Sequence, residues 1–370
     1  MKLKPDDGLK AQAMLFKNQT YRKTLLCLIV PFCLLYFLVT LAWTVPFISK
    51  EIELNLGREA DKEVVRQFGL YQDKALQLYI NDIGQNLVAK LTNKEFSRFH
   101  FKLVDSSVIN AFALPGGYVY ITRGLLSVLN SEAELASVIG HEVAHVTLHH
   151  GAKLMVRSIG AQLLSVGGAL ASKSPGEWMA VSSAIFQQIN LGYGREAELE
   201  SDAQGMMNAA GAGYQPTGMA GFLRNLRKQE MMSGQAYHSF QASHPETKER
   251  IIKADLMASS LSHRYSKLQS KQGSFLSHLQ GLVYGGREDS KDKRRYKPQY
   301  LEIYTVQEGD TLENIALREL GGKRYALNIA VLNGRKESVA IRPGELLKLV
   351  RNGVYEGTRT VRSAHKLPDS

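Results

Sequence analysis

Cysteine is nearly absent. Cys27 and Cys33 are the only two among 370 residues, and both lie in one apolar stretch near the N-terminus. Everything after them lacks a thiol, which excludes a disulfide framework and removes cysteine from any set of metal ligands. Neither follows a lipobox, so no lipid attachment is predicted. Negative charge is also scarce: 35 Asp and Glu stand against 46 Lys and Arg, a formal charge of +11. No long basic run with interleaved aromatics accompanies the excess, so nucleic acid is not a predicted partner. The excess reads as a solvated basic surface, with attraction to anionic lipid or an anionic cell-wall polymer as its functional counterpart.

The first 23 residues are polar and basic, with Lys2, Lys4, Lys10, Lys17, Arg22 and Lys23 against Asp6 and Asp7. Leu25 to Ile48 then runs for 24 residues without a charge, more than the roughly 20 that cross a bilayer as a helix. Pro31 is tolerable in such a span, and Trp43 suits an interface. The reading is a single anchor over 24–48, N-terminus cytoplasmic, with the remainder beyond the membrane. A cleaved signal peptide is the alternative. The length of the apolar region and the lack of an A-x-A site favour the retained anchor.

What organises the chain is Ser131 to Gly151. It contains His141-Glu142-Val143-Ala144-His145, an H-E-x-x-H motif. Residues four apart share a helical face, so both imidazoles can reach one metal ion, with the Glu142 carboxylate beside it to move a proton from water to a leaving amine. Ser131 and Glu134 make a capping-box pattern, and Gly151 is the expected C′ glycine. Gly140 leaves room for another segment to approach. His149 and His150 are expected at the surface near the helix end.

Before the motif, 51–100 reads as helices, with Val64, Val65, Phe68, Leu76, Ile80, Ile83 and Leu87 as the buried positions. Phe101 to Val104 has strand composition. Pro115-Gly116-Gly117 marks a turn into a strand at Gly117, Tyr118, Val119, Tyr120 and Ile121. That strand is expected at an open edge beside the metal helix, where it can align an extended substrate by main-chain hydrogen bonds. After the motif, Lys153 to Asn190 reads as core helices rich in small residues. Zinc held by two histidines needs a third protein ligand. Glu198 and Asp202 are four apart and share a face. Glu198 can ligate, while Asp202 can fix the tautomer of a ligand histidine. Tyr193 and Arg195, just before them, are weaker candidates for substrate contacts.

Four separated segments resemble the HtpX-like and CAAX-prenyl-protease-like family of gluzincin metallopeptidases. They are Asn110 to Gly117, Glu134 to His145, Arg195 to Asp202, and Ser243-His244-Pro245 with Arg250-Ile251. The resemblance covers about 51–285. It implies one zinc ion on His141, His145 and Glu198, and Glu142 as general base. It also implies His244 at the active site, either as oxyanion donor or as occupant of the open metal position. Ser201 stands where the family usually has alanine.

A charge-dense stretch, 286–300, reads as a linker. Beyond it, Glu308-Gly309-Asp310-Thr311-Leu312 and Leu332-Asn333-Gly334 through Pro343-Gly344-Glu345 resemble a LysM domain over 301–350. That resemblance implies a β-α-α-β module and peptidoglycan-type glycan as ligand. A structural cap that has lost sugar binding is the alternative. The tail 351–370 is basic.

The expected protein is therefore α+β. It has one N-terminal transmembrane helix, a mostly helical zincin-type domain with a small edge-exposed sheet, and a small LysM-like domain. The expected activity is zinc-dependent endopeptidase acting on misfolded or unassembled envelope proteins, anchored in a bacterial inner membrane and facing the periplasm. A chaperone-like cell-wall assembly factor and a peptidoglycan cross-link hydrolase are the rival readings.

Overall fold

A computed structural model of the chain describes residues 50–91, 98–159, 192–233, 240–245, 248–286 and 298–357. The basic tail and the anchor expected over 24–48 lie outside the described residues, as does most of Lys153 to Asn190. Among the described residues no helix is long and apolar enough to cross a membrane.

Two helices open the described chain, α1 (Lys50–Phe68) and α2 (Lys74–Ala89). Asp73 caps α2 by accepting the Leu76 N–H, and Leu76, Ile80, Ile83 and Leu87 form its buried stripe. Next come β1 (His100–Val104), β2 (Ala111–Leu114) and β3 (Tyr118–Thr122), in the spatial order β1-β3-β2. β3 runs antiparallel to β2 and parallel to β1. Gly117 in the hairpin turn has φ 93°, and a Cβ there would stand 2.5 Å from the Arg98 carbonyl oxygen, so only glycine fits. This order corrects the expected edge. Tyr118, Val119 and Tyr120 lie in the middle strand, with β1 occupying the side expected to be open.

A short α3 (Arg123–Val128) leads into α4 (Glu132–Thr147), which carries H-E-x-x-H. Ser131 caps α4 by accepting the Glu134 N–H at 3.1 Å. The Glu134 carboxylate accepts the N–H of Asn130 at 2.7 Å rather than that of Ser131, a capping box displaced by one residue. The expected stop at Gly151 is also corrected. His149, at φ 55°, makes the left-handed turn, and Gly151 lies inside α5 (His150–Ile159). The edge strand beside α4 is β2.

α6 (Arg195–Gly211) crosses α4 where Gly140 faces Gly205. A Cβ on Gly205 would meet the His141 N at 2.6 Å, and one on Gly140 the Gly205 carbonyl oxygen at 2.8 Å. α7 (Thr217–Ser233), the short α8 (Phe240–Ser243), α9 (Lys248–Arg264) and α10 (Gln272–His278) complete the helical body. One core runs through it from Ile80 past Ile121, Leu135 and Ile139 to Met206, Phe222 and Leu261.

The remaining chain forms β4 (Val283–Tyr284), β5 (Gln299–Thr305), α11 (Leu312–Leu320), a 3-10 turn at Lys323–Tyr325, α12 (Ala326–Leu332) and β6 (Leu346–Asn352). The sheet order is β4-β5-β6, with β5 antiparallel to both neighbours. The strand–helix–helix–strand order expected from sequence is present, around a small core of Ile315, Ala316, Ile329, Leu347 and Leu349.

This module packs against the helical body, while most of the charged stretch 286–300 expected as a linker lies outside the described residues. β4 comes from the body side and extends the module's sheet, and Leu301 joins the main core. The fully buried Lys348 donates to the carbonyls of Ser127 (2.8 Å) and Leu129 (2.7 Å) at the end of α3. Those carbonyls have no partner within their own helix. Burial lowers the Lys348 pKa and raises that of Glu134, while their opposite charges work against both shifts.

Gly205→Ala tests the helix crossing. In an exposed helix the change favours folding by about 1 kcal/mol. Here every atom in the way is backbone, so overpacking of about 1–3 kcal/mol wins. We expect a Tm lower by several degrees by calorimetry; an unchanged or raised Tm would refute the close approach.

Candidate metal centre

Four buried side chains from three elements converge. α4 supplies His141 and His145 one turn apart, α6 supplies Glu198, and the segment after α8 supplies His244. Their ligand-type atoms all lie within 4.8 Å of one another. The two Nε2 atoms of His141 and His145 are 3.0 Å apart. Glu198 Oε2 lies 3.4 Å from His141 Nε2, and its Oε1 3.4 Å from His145 Nε2. His244 Nδ1 lies 3.0 Å from Glu198 Oε1 and 3.3 Å from His141 Nε2. Glu142 sits alongside, its Oε1 3.5 Å from His244 Nε2. Glu142 and His244 are both 0 % exposed.

Behind the cluster, Asp202 accepts from His141 Nδ1 at 2.9 Å, which turns Nε2 inward as a lone-pair donor. Arg250, absent from the sequence-based site apart from its place in the family motif, is buried here. It donates to both Asp202 oxygens (2.7 and 2.8 Å), approaches Glu198 Oε2 at 2.9 Å, and donates to the His244 and Pro245 carbonyls. Burial pushes the Asp202 carboxyl up, but the Arg250 charge and the His141 hydrogen bond hold it below its ordinary range. Burial likewise opposes ionisation of Glu198, and neighbouring His244 and His141 hold it well below. Burial raises Glu142, with no compensating hydrogen bond.

His145 has its own support, which sequence reasoning missed. His150 is buried, not superficial, and its Nδ1 lies 2.9 Å from His145 Nδ1. With His145 Nε2 turned into the cluster, its Nδ1–H donates to His150 Nδ1. His150 Nε2–H then donates to Glu200 at 3.2 Å. Ser201 Oγ also reaches His150 Nδ1, at 3.2 Å, which gives this hydroxyl a partner inside the packed helix. His149 is half-buried and pairs with Glu53 at 2.9 Å. The left-handed turn at His149 folds His150 back under α4, and no periodicity signals it.

Tyr193 stacks on His145 with ring centroids 4.0 Å apart and donates to the Ala113 carbonyl of β2 at 3.3 Å. It therefore covers part of the edge nearest the cluster. Arg195 is not at the site, contrary to expectation. It begins α6 on the exposed side and pairs with Glu249 at the surface. Gly117, Tyr118, Val119 and Tyr120 are likewise removed from the substrate edge by their place in and beside the middle strand.

A divalent cation fits these residues. Two Nε2 atoms at 3.0 Å repel as bare lone pairs, and a cation between them removes that repulsion. Both Glu142 oxygens and His244 Nε2 are buried without a hydrogen-bond partner among the described residues. The donors themselves, imidazole nitrogens and a carboxylate, suit such an ion.

Comparison with known proteins agrees with this geometry. The chain is 34% identical over 190 residues to a beta-barrel assembly-enhancing protease of Yersinia pestis, covering 49% of this chain and 39% of that protein. It is 29% identical over 245 residues to the protein of that name from Escherichia coli K12, covering 64% and 50%. It is 31% identical over 162 residues to the mitochondrial metalloendopeptidase OMA1 of Arabidopsis thaliana, covering 43% and 32%. The chain thus spans at most about half the length of these relatives. The sequence profile described as peptidase family M48 matches 74–258, half of the chain and all of the H-E-x-x-H, Glu198 and His244 segments. With that match and the buried histidine–glutamate cluster in place, the chain belongs to peptidase family M48.

Proposed function

We propose that the protein is a zinc-dependent endopeptidase whose metal is held by His141, His145 and Glu198. The observation that carries this reading is the convergence of those three side chains beside a buried, unpartnered Glu142. Imidazole and carboxylate donors suit zinc. When bound, the cation supplies Lewis-acid polarisation of a peptide carbonyl and acidifies water. Glu142 takes the proton from the attacking water and passes it to the leaving nitrogen. Asp202, anchored by Arg250, orients His141, and His150 orients His145. β2 is the strand edge available to an extended peptide, once Tyr193 leaves the Ala113 carbonyl.

His244 fills the space that water and a peptide carbonyl need, and with Glu142 it is sealed from solvent. This supports His244 as a fourth ligand that holds the enzyme latent, over its role as oxyanion donor.

The name of the enterobacterial relatives supports substrates among misfolded or unassembled envelope proteins. The uncharged stretch and its basic N-terminal flank support an inner-membrane anchor over 24–48 with the catalytic part in the periplasm. The β-α-α-β order, with the motifs of 301–350, supports a LysM-like module that meets peptidoglycan.

Glu142→Gln should lower casein hydrolysis by roughly 10²–10⁴-fold with zinc content unchanged by metal analysis; full retained hydrolysis would end the peptidase reading. For His150→Ala we expect zinc affinity to fall about 10–100-fold by chelator competition. His150→Gln, which keeps an acceptor, should recover most of it; equal losses would show a packing role alone. His244→Ala should raise casein cleavage several-fold. A loss of roughly 10²–10³-fold would instead make His244 the oxyanion donor.

A further inference from the structure

A cavity of about 650 Å³ opens between α7 and the C-terminal module, and it shares no residue with the metal cluster. Gln229, Tyr284, Tyr325, Asn328, Val350 and Asn352 are among its walls.

One wall is a strand edge. Among the described residues β6 is the outer strand of its sheet, paired only with β5. At Lys348 the outward-facing backbone is already satisfied by a side chain. Asn333 Oδ1 accepts the Lys348 N–H at 2.8 Å, and Asn333 Nδ2 donates to the Lys348 carbonyl at 3.0 Å. That is the pair of bonds a neighbouring strand would make. Backbone direction alternates along a strand, so the N–H and C=O of Val350 and Asn352 also point away from β5. No backbone partner faces them among the described residues.

The opposite wall carries a second, independent sign. Gln229 is only 8 % exposed, and its Nε2 is buried without a hydrogen-bond partner among the described residues. A buried amide donor left unmade is costly. The charges on the walls, by contrast, are matched. Lys348 is spent on two carbonyls, and Arg351 is held by Glu302 and Glu319. A charged ligand would therefore find no free counter-charge. Amide edges with two tyrosines suit a neutral polar main chain.

We infer that this cavity binds an extended, uncharged segment of another polypeptide, added as a strand along β6. Its main chain pairs with Val350 and Asn352, and Gln229 donates to one of its carbonyls. Specificity for side chains is low, because the bonds are to main chain. The site works whether or not the metal centre hydrolyses peptides.

The test uses the full chain carrying Glu142→Gln, so that nothing is cleaved, and a fluorescein-labelled ten-residue peptide of alternating valine and threonine. Fluorescence anisotropy should show saturable binding. Val350→Pro, which removes the outward N–H at an edge position that tolerates proline, should weaken it by at least about fivefold. Gln229→Leu should weaken it by a similar factor, and Leu256→Ser, exposed on α9 and outside the cavity's lining, should leave it unchanged. The same peptide N-methylated at alternate amides should not bind. Unchanged affinity in both weakened variants, or equal binding of the N-methylated peptide, overturns the proposal. So does a failure of the peptide to bind while an N-acetylglucosamine tetramer binds in a Gln229-dependent way, which would assign the cavity to glycan.

Discussion

The closest approach of α4 to α6, at Gly140 and Gly205, is the constraint on which the site rests. Glu198 lies 53 positions beyond His145 in the chain. A carboxylate is short, so it reaches an imidazole pair on another helix only if the two backbones nearly touch. Two missing side chains permit this. The contact places Asp202 against His141 as well, so one crossing sets Glu198 and the carboxylate behind the first histidine. A single methyl group between the helices would move all of these at once.

The buried charges are then held by mutual pairing rather than by water. Arg250 bridges Asp202 and Glu198 and ties the His244 carbonyl into the same network. Ion pairs removed from solvent contribute little net stability unless every lone pair is met. Here they fix geometry: His141 and His145 each have one nitrogen committed outward and the other turned to the centre. Glu142 is the exception: both its oxygens are buried without a hydrogen bond among the described residues.

Much of the centre was legible in the sequence because it rests on helical spacing. His141 with His145, and Glu198 with Asp202, are each four apart, and spacing alone puts each pair on a face. The same logic placed Leu76, Ile80 and Ile83 in the core. What failed depended on neighbours distant in the chain. The Tyr118 strand has edge-like composition, yet β1 pairs with its far side, and strand order is not written in any one strand. Arg195 shares a segment with Glu198 but starts its helix on the solvent side. His150 resembles a surface residue until the left-handed turn at His149 carries it inward. Lys348, between Leu347 and Leu349, is fully buried because its side of that strand meets the end of α3, a neighbour the local sequence does not name.

That last contact has a structural consequence for how the two parts of the chain belong together. The ammonium of Lys348 closes the frayed carbonyl end of α3, and only three residues separate α3 from the start of the helix bearing both histidines. The C-terminal module is therefore a brace that sets where the catalytic helix begins. Exchanging it for an unrelated appendage would leave two acceptors and the Glu134 carboxylate facing a void. The module and the helical body are thus joined by shared burial, not merely by chain connectivity.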